Sequence, residues 1–328
     1  MQLQSASSPT SRNSAIELLR ILSMVFILVV HFVGATFGLP AREVLYAGFS
    51  FTTVGKALLE AMAICGVNCF VLISGYYGIK ATWRGLLRYV LWCLFASLLV
   101  YAFDWVVEGS PRQSFWDALR VFTATDLWFV PAYLVLYLMS PLLNGGIASL
   151  DNRRMHLLLA ALTFVNVYLG WGWGGALNPT GYTVMQMIYV YFIGRYLFRF
   201  KNALFRLPAR LYFLSYLLLT LAIAATLNFA YNNPLVLLQS VALFLAFARL
   251  RPFHSRAVNY VGASAFMVYL MHKPPGPWAE IRGVLYYFDE HLTGISFVLA
   301  CTGFLIAVFA VSIAIDAVRR RLFKFIRL

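Results

Sequence analysis

The chain has 328 residues, of which 62% are hydrophobic and 12% are charged, and its mean hydropathy is +0.77. A soluble protein of this length needs more charge to cover its surface, so the composition predicts an all-α polytopic membrane protein. In such a protein the net charge of +14 is first a signal of topology. No basic stripe interleaved with aromatic residues accompanies it, and we therefore set nucleic-acid binding aside.

The apolar runs predict the number of membrane spans. Crossing about 30 Å of hydrocarbon takes roughly 20 helical residues. Ten runs meet or approach that length, at 16–38, 57–79, 86–107, 127–147, 155–174, 182–200, 211–230, 234–250, 258–273 and 294–318. The polar residues 1–13 are predicted to be a disordered tail, and residues 14–328 a single transmembrane domain. Between spans, 112–124 is amphipathic and predicted to lie at a surface, and about 273–293 is the longest predicted outer loop.

Basic residues orient the ten predicted spans. The outer loops at 175–181 and 231–233 carry no charge, and the other outer loops mix their basic residues with most of the acids. The larger basic groups fall in the alternate, inner segments, among them Lys80, Arg84, Arg88, Arg153, Arg154, Arg199, Lys201, Arg206, Arg210, Arg249, Arg251, Arg256, Arg319, Arg320 and Arg321. This asymmetry predicts that both termini are cytoplasmic.

The four cysteines all lie in apolar runs without further ligands, which predicts packing residues and neither a disulfide framework nor a metal site.

The first span contains ionisable residues that are costly in a membrane. Ser14 to Glu17 has the form of a capping box, so Glu17 is either a helix-start residue or a partner of Arg20. Arg20 either reaches lipid phosphates or faces a ligand slot. His31 follows eleven residues later, about 16 Å along the helix and on the same face. His31 is either a functional group in a wet cavity or a neutral histidine that joins two helices.

The second span and the segment after it hold further polar residues. Asn68 lies in mid-span, and Ser74 and Tyr76 approach the end that is predicted to be cytoplasmic. The small residues in this span, among them Gly66 and Gly75, favour close helix packing. One turn apart on the next helix lie two arginines, which either signal topology or hold phosphates of a cytosolic ligand: Arg84 and Arg88.

Three more residues lie near the predicted outer ends of spans. Trp128 at the start of span four fits an interfacial aromatic residue. His272 at the end of span nine is predicted to be interfacial, with a structural role. Glu60 is either a group on the acceptor side or a surface acid. The common motifs for phosphate-binding loops, zinc proteases and serine hydrolases do not occur.

Four short segments together resemble the membrane-bound acyltransferase family 3, which includes many bacterial surface-polysaccharide O-acetyltransferases. They are Glu17-Leu18-Leu19-Arg20 with His31 after ten more residues, Phe70–Tyr76 (FVLISGY), Leu127–Val130 (LWFV) and Tyr269–His272 (YLMH). Their order and spacing are similar to the family's over essentially the whole chain. The resemblance is to the short form, without the extra outer hydrolase-like domain of some members.

The resemblance implies a ten-helix enzyme that passes an acyl group, most simply acetyl, from cytosolic acyl-CoA to a hydroxyl on the far side. His31 is then expected to be the catalytic base, in a multi-pass protein of the inner (plasma) membrane that needs no metal. The acyl-CoA slot is expected to include Arg20, Ser74, Tyr76, Arg84 and Arg88, and the supporting residues are Glu17, Asn68, Trp128 and His272.

The expected acceptor is a glycan or lipid-linked sugar. Nothing in the residues separates general-base catalysis from a covalent acyl-histidine. The alternative function is a transporter or flippase for a lipid-linked glycan, which fits the spans and intramembrane charges but not the lack of an inverted repeat. A polysaccharide polymerase usually needs large charged outer loops, and the longest predicted outer loop carries few charges.

Overall fold

A computed structural model describes residues 13–47, 50–123, 125–172, 175 and 177–325. The structure is 82% helical, and the described residues contain no β-strand, as the composition predicts. The predicted tail lies outside the described residues except for Asn13. The α-helices are α1 Ser14–Val30, α2 Arg42–Ala47, α3 Phe51–Ala63, α4 Gly66–Tyr77, α5 Trp83–Glu108, α6 Phe115–Leu119, α7 Phe129–Ser149, α8 Asn152–Thr163, α9 Val184–Arg199, α10 Lys201–Leu204, α11 Ala209–Thr226, α12 Pro234–Ala248, α13 Arg256–His272, α14 Pro275–His291 and α15 Gly294–Phe325.

Seven helical stretches in the described part of the chain are long and apolar enough to cross a membrane. All seven overlap predicted spans: Ser14–Phe37, Thr52–Tyr77, Trp83–Glu108, Phe129–Ser149, Asn152–Gly172, Ala209–Thr226 and Gly294–Phe325. The other three predicted spans correspond to α9, α12 and α13, which have 16, 15 and 17 residues. These are shorter than the roughly 20 residues of a full crossing. The count of ten and the cytoplasmic position of the termini therefore stay predictions.

The segment predicted as an outer loop, 273–293, is mostly helical, because most of it forms α14. Pro275 and Pro277 lie in the first turn of this helix. Backbone N–H groups there have no partner within the helix, so proline costs no intrahelical hydrogen bond. Ile281 and Leu285 bury the inner face of the helix, since they are one turn apart. These prolines therefore start the helix.

The start of α1 also differs from the prediction. The side chain of Asn13, not Ser14, caps the helix by accepting a hydrogen bond from the backbone N–H of Ala15 (3.1 Å). The Ser14 hydroxyl instead donates to Oδ1 of Asn259 on α13, at 2.8 Å. The predicted capping box is therefore wrong, and the first turn of α1 is tied to α13.

α1 lies at the centre of the bundle. Leu19 and Phe26 join a hydrophobic cluster built with α4, α7, α9 and α12, while Met24 and Leu28 join a second cluster with α5 and α13. After Val30 the helix widens into a π-helical segment, His31–Phe37. π-Helical segments are rare in proteins, and many of those that occur lie at functional sites.

Glycines allow the helices around α1 to approach closely, as the small residues predicted. A Cβ on Gly66 of α4 would lie 2.7 Å from the Ser23 carbonyl oxygen of α1. A Cβ on Gly75 would collide with the backbone of Tyr191 on α9, and one on Gly194 would lie 2.6 Å from the Tyr76 backbone nitrogen. No side chain fits at these contacts, so α4 is held between α1 and α9 in a single register.

Candidate active site

Two histidines meet where α1 and α13 lie side by side. Nδ1 of His31 is 2.8 Å from Nε2 of His272, and Nδ1 of His272 is 2.6 Å from the carbonyl oxygen of Val268. The side chain of His272 is fully buried. The contact joins the first residue of the π-helical segment to the last residue of α13.

The bonding pattern assigns the protons of this pair. A carbonyl oxygen only accepts, so Nδ1 of His272 carries the proton and donates to Val268. In the neutral imidazole Nε2 of His272 is then an acceptor, and Nδ1 of His31 must donate to it. This leaves Nε2 of His31 without a proton. His31 therefore presents its basic nitrogen on the side of the ring away from His272.

The indole of Trp278, on α14, covers another side of the His31 ring. The ring centroids are 5.9 Å apart and the planes meet at 63°, an edge contact. Lys273 Nζ and the Arg282 guanidinium lie 5.5 and 6.0 Å from the centre of the indole ring. Cations favour the electron-rich faces of indole rings, so these side chains help to hold Trp278 in place.

A cavity of about 270 Å³ lies beside Arg20, and we call it the Arg20 cavity. Arg20 donates to Oε1 of Glu17 at 2.7 Å. The cavity also contains the hydroxyl groups of Ser74 and Tyr133, whose oxygens are 3.2 Å apart. Its remaining walls are mostly aromatic, from Phe70, Tyr89, Trp92, Phe129 and Phe266.

A smaller cavity of about 30 Å³ lies beside His31, and we call it the His31 cavity. Its wall includes Trp128 and residues of α1, α4, α7 and α13. Three residues line both cavities: Phe70, Phe129 and Phe266. The predicted residues Arg20 and His31 thus border two neighbouring spaces with a shared aromatic wall.

One family of known proteins matches this chain. The sequence model of acyltransferase family 3, described as an acyltransferase domain, matches residues 13–317. The chain belongs to this family. No curated protein matches it, and no solved structure matches it either. With its apolar helices, the protein is a multi-pass membrane acyltransferase.

The structure of the acyltransferase gives His272 a partner that the sequence did not predict. An interfacial residue with a structural role was expected, and the side chain is buried and bonded to His31. Depth along the helix alone suggested an interfacial position, and depth does not show which neighbour covers a side chain. Trp128 is likewise not a simple interfacial residue, because it lines the His31 cavity and packs on Tyr182 and Tyr231.

Glu17 of the acyltransferase is the partner of Arg20, one of the two alternatives left by the sequence. The Glu17 side chain is 6% exposed and that of Arg20 is 30% exposed. The second carboxylate oxygen, Oε2, is buried without a hydrogen bond and lies against Gly262 of α13. The pair therefore fixes the Arg20 guanidinium at the wall of its cavity.

Asn68 holds a buried polar contact near the His31 cavity. It donates to the backbone oxygen of Tyr231 at 2.9 Å and accepts from Gln186 at 3.2 Å. Tyr231 in turn lines the His31 cavity. Asn68 therefore positions a wall residue of the cavity, and its supporting role in the reaction stays a prediction.

Three residues assigned to the acyl-CoA slot are not brought into the Arg20 cavity. The Tyr76 ring packs among Tyr77, Phe198, Phe205 and Phe244. The other two assigned residues are exposed in the first turns of α5 and form no ion pair within the described residues: Arg84 and Arg88. Their helix also supplies Tyr89 and Trp92 to the cavity wall, so they lie near its rim.

Glu60 is 4% exposed, so the surface-acid alternative is wrong. A Cβ on Gly34 would lie 3.0 Å from both oxygens of the Glu60 carboxylate, which places Glu60 against the π-helical segment.

Among the described residues no cluster of three or more His, Cys, Asp or Glu could hold a metal ion.

Sequence reasoning missed Tyr133, Phe266 and Trp278. Tyr133 follows Phe129 by one helical turn, a spacing that could have placed it beside the quoted LWFV segment. Phe266 lies six residues before His272, with no local signal that it borders the slot. Trp278 lay in a segment predicted to be a loop.

Proposed function

We propose that this acyltransferase moves an acetyl group from acetyl-CoA to a hydroxyl of a cell-surface or lipid-linked glycan. One observation carries the proposal. His31 holds an unprotonated Nε2, set by its bond to His272, beside a cavity that shares a wall with the Arg20 cavity. The family supplies the reaction class, and this arrangement offers a base and a donor space next to each other.

The chemistry assigned to His31 is general-base catalysis. Nε2 takes the proton of the acceptor hydroxyl while its oxygen attacks the thioester carbonyl carbon. As the tetrahedral intermediate collapses, the carbon–sulfur bond breaks, and the imidazolium returns the proton to the leaving thiolate. General-base assistance of this kind accelerates a reaction by about 10²–10⁴-fold. His272 accepts from Nδ1 throughout, so it keeps the imidazole in the productive orientation.

The donor is assigned to the Arg20 cavity. With the N-terminus in the cytoplasm, as the basic residues predict, this cavity lies nearer the cytosolic acyl-CoA pool and His31 lies deeper. The Arg20 guanidinium has donors beyond the one that binds Glu17, and these can hold a phosphate or carbonyl oxygen of the donor. The hydroxyls of Ser74 and Tyr133 offer further hydrogen bonds. Arg84 and Arg88, at the rim, are suited to the outer phosphates of CoA.

The acceptor is assigned to the far side of a plasma membrane. The resemblance to the surface-polysaccharide O-acetyltransferases supports a glycan hydroxyl there. A base between the two sides lets a cytosolic donor react with that hydroxyl while neither substrate crosses completely.

Purified protein with radiolabelled acetyl-CoA and a crude cell-envelope glycan tests this function. Wild type should transfer label, whereas His31→Ala and the larger His31→Gln should not, although both should still bind CoA. His291→Ala is the matched control, since His291 is exposed on α14, and it should transfer normally.

Two outcomes contradict the proposal. Near-normal transfer by both His31 variants would remove His31 from the chemistry. Wild type that neither binds CoA nor transfers label, but moves lipid-linked glycan across liposomes, would support a flippase instead.

A further inference from the structure

Three phenylalanine rings line both the space beside Arg20 and the space beside His31. Phe70 comes from α4, Phe129 from α7 and Phe266 from α13, and each lines both cavities. The rings are half-buried, since they face open space on two sides. A group that passes from the Arg20 cavity to His31 has to pass this ring set.

The two cavities differ about ninefold in size, at about 270 and 30 Å³. One water-sized group needs roughly 10–15 Å³ of such volume. The His31 cavity exceeds that volume only a few-fold, so it suits a short acyl group such as acetyl better than a longer chain. The Arg20 cavity has room for a far longer chain.

Neighbouring aromatic residues hold two of these rings in place, Phe129 and Phe266. Phe129 stacks on Tyr133 with a centroid distance of 5.5 Å. Phe266 stacks on Tyr89 at 5.7 Å and meets the edge of Trp92 at 5.4 Å. Packed aromatic clusters resist displacement, because a moved ring forces its neighbours to move as well. The small cavity thus cannot enlarge without repacking three helices.

We propose that Phe70, Phe129 and Phe266 select the acyl group by length and admit only acetyl to His31. The proposal rests on the function proposed above and names its donor class, a two-carbon acyl-CoA. A butyryl group carries two more methylenes than the His31 cavity holds. Its CoA portion still fits outside the rings, so butyryl-CoA binds but does not react.

An acyl-CoA series on the purified protein tests the proposal. Transfer from acetyl-CoA should exceed transfer from butyryl-CoA by more than about 100-fold, since one misfitting methylene can change specificity by roughly 10–200-fold. Butyryl-CoA should compete with acetyl-CoA for binding at similar concentrations. Phe129→Leu and Phe266→Leu should each raise butyryl transfer at least tenfold relative to acetyl transfer.

Phe192→Leu is the matched control. Phe192 is buried in a separate cluster with Ile147 and Met155, so the same substitution there should leave the acyl preference unchanged. Thermal stability in detergent shows whether each variant is folded, and the wild-type series tests the proposal without any variant.

The outcomes separate this proposal from the proposed function. Equal wild-type transfer of acetyl and butyryl, or an unchanged preference in both folded ring variants, overturns the ring selection and leaves acyl transfer intact. Wild type that uses no acyl-CoA at all overturns both.

Discussion

Nδ1 of His31 lies 2.8 Å from Nε2 of His272, a residue 241 positions later in the chain. Because the other nitrogen of His272 is bonded to the Val268 carbonyl oxygen, this contact determines which nitrogen of His31 is basic. His272, the last residue of α13, thus sets the proton position on His31, the candidate catalytic residue that follows α1.

Replacing His272 should lower kcat and leave KM for acetyl-CoA nearly unchanged. His272→Ala removes the acceptor for Nδ1 of His31 and frees the ring. The loss of one buried hydrogen bond costs about 1–3 kcal/mol, or roughly five- to 150-fold in rate. His272→Gln can offer an oxygen to the same proton, so it should recover part of the rate. Steady-state kinetics of both variants check this, and equal losses in kcat and affinity would point to a purely structural role.

Arg20 should contribute to donor binding, and this contribution should be separable from its contribution to stability. Arg20→Ala removes the guanidinium from the cavity and should raise KM for acetyl-CoA. It also leaves the Glu17 carboxylate buried without its cation, which should cost roughly 1–3 kcal/mol of stability.

The double variant Arg20→Ala with Glu17→Gln separates these effects, because it removes the orphaned charge as well. Thermal stability should recover in the double variant while KM stays high. If KM recovers together with stability, Arg20 only supports the fold. CoA binding and thermal melting, measured on the same samples, report donor affinity and stability separately.

Arg84 and Arg88 should contribute weakly and in a salt-dependent manner. Exposed charge contacts are worth about 0.2–1 kcal/mol, so each alanine variant should weaken CoA binding by no more than roughly fivefold. The difference from wild type should shrink at high ionic strength, since salt screens exposed charges. Arg153→Ala, an exposed arginine on α8, is the control. Unchanged binding in both α5 variants would leave these residues as topology signals only.

Gly75→Ala should destabilise the bundle. The added Cβ would collide with the Tyr191 backbone, and overpacking of this kind costs about 1–3 kcal/mol. Gly145→Ala on α7 is the matched control, because a Cβ there meets nothing within 4 Å. Alanine should stabilise that helix by about 0.5–1 kcal/mol. Thermal melting of both variants checks the pair, and a Gly75→Ala protein as stable as wild type would contradict the close contact of α4 with α9.

The sequence predicted the helical class and most helix positions, because long apolar runs have few alternatives in a membrane. It was less successful where local residue types have two uses. The residues at about 273–293 were predicted to be an outer loop, yet α14 begins at Pro275, because proline also starts helices. Ser14 and Glu17 indicated a capping box, yet Asn13 caps the helix and Glu17 binds Arg20.

By itself, the sequence determined that Arg20 and His31 share one face of one helix, because the helical repeat is a local property of the chain. It also identified the family, since the four matching segments are read in order along the chain. Only the tertiary structure decided that His272 is the partner of His31 and that Phe266 stands between His31 and Arg20. Those contacts depend on how α13 is rotated and placed against α1 and α7, and the packing of the whole bundle sets that arrangement.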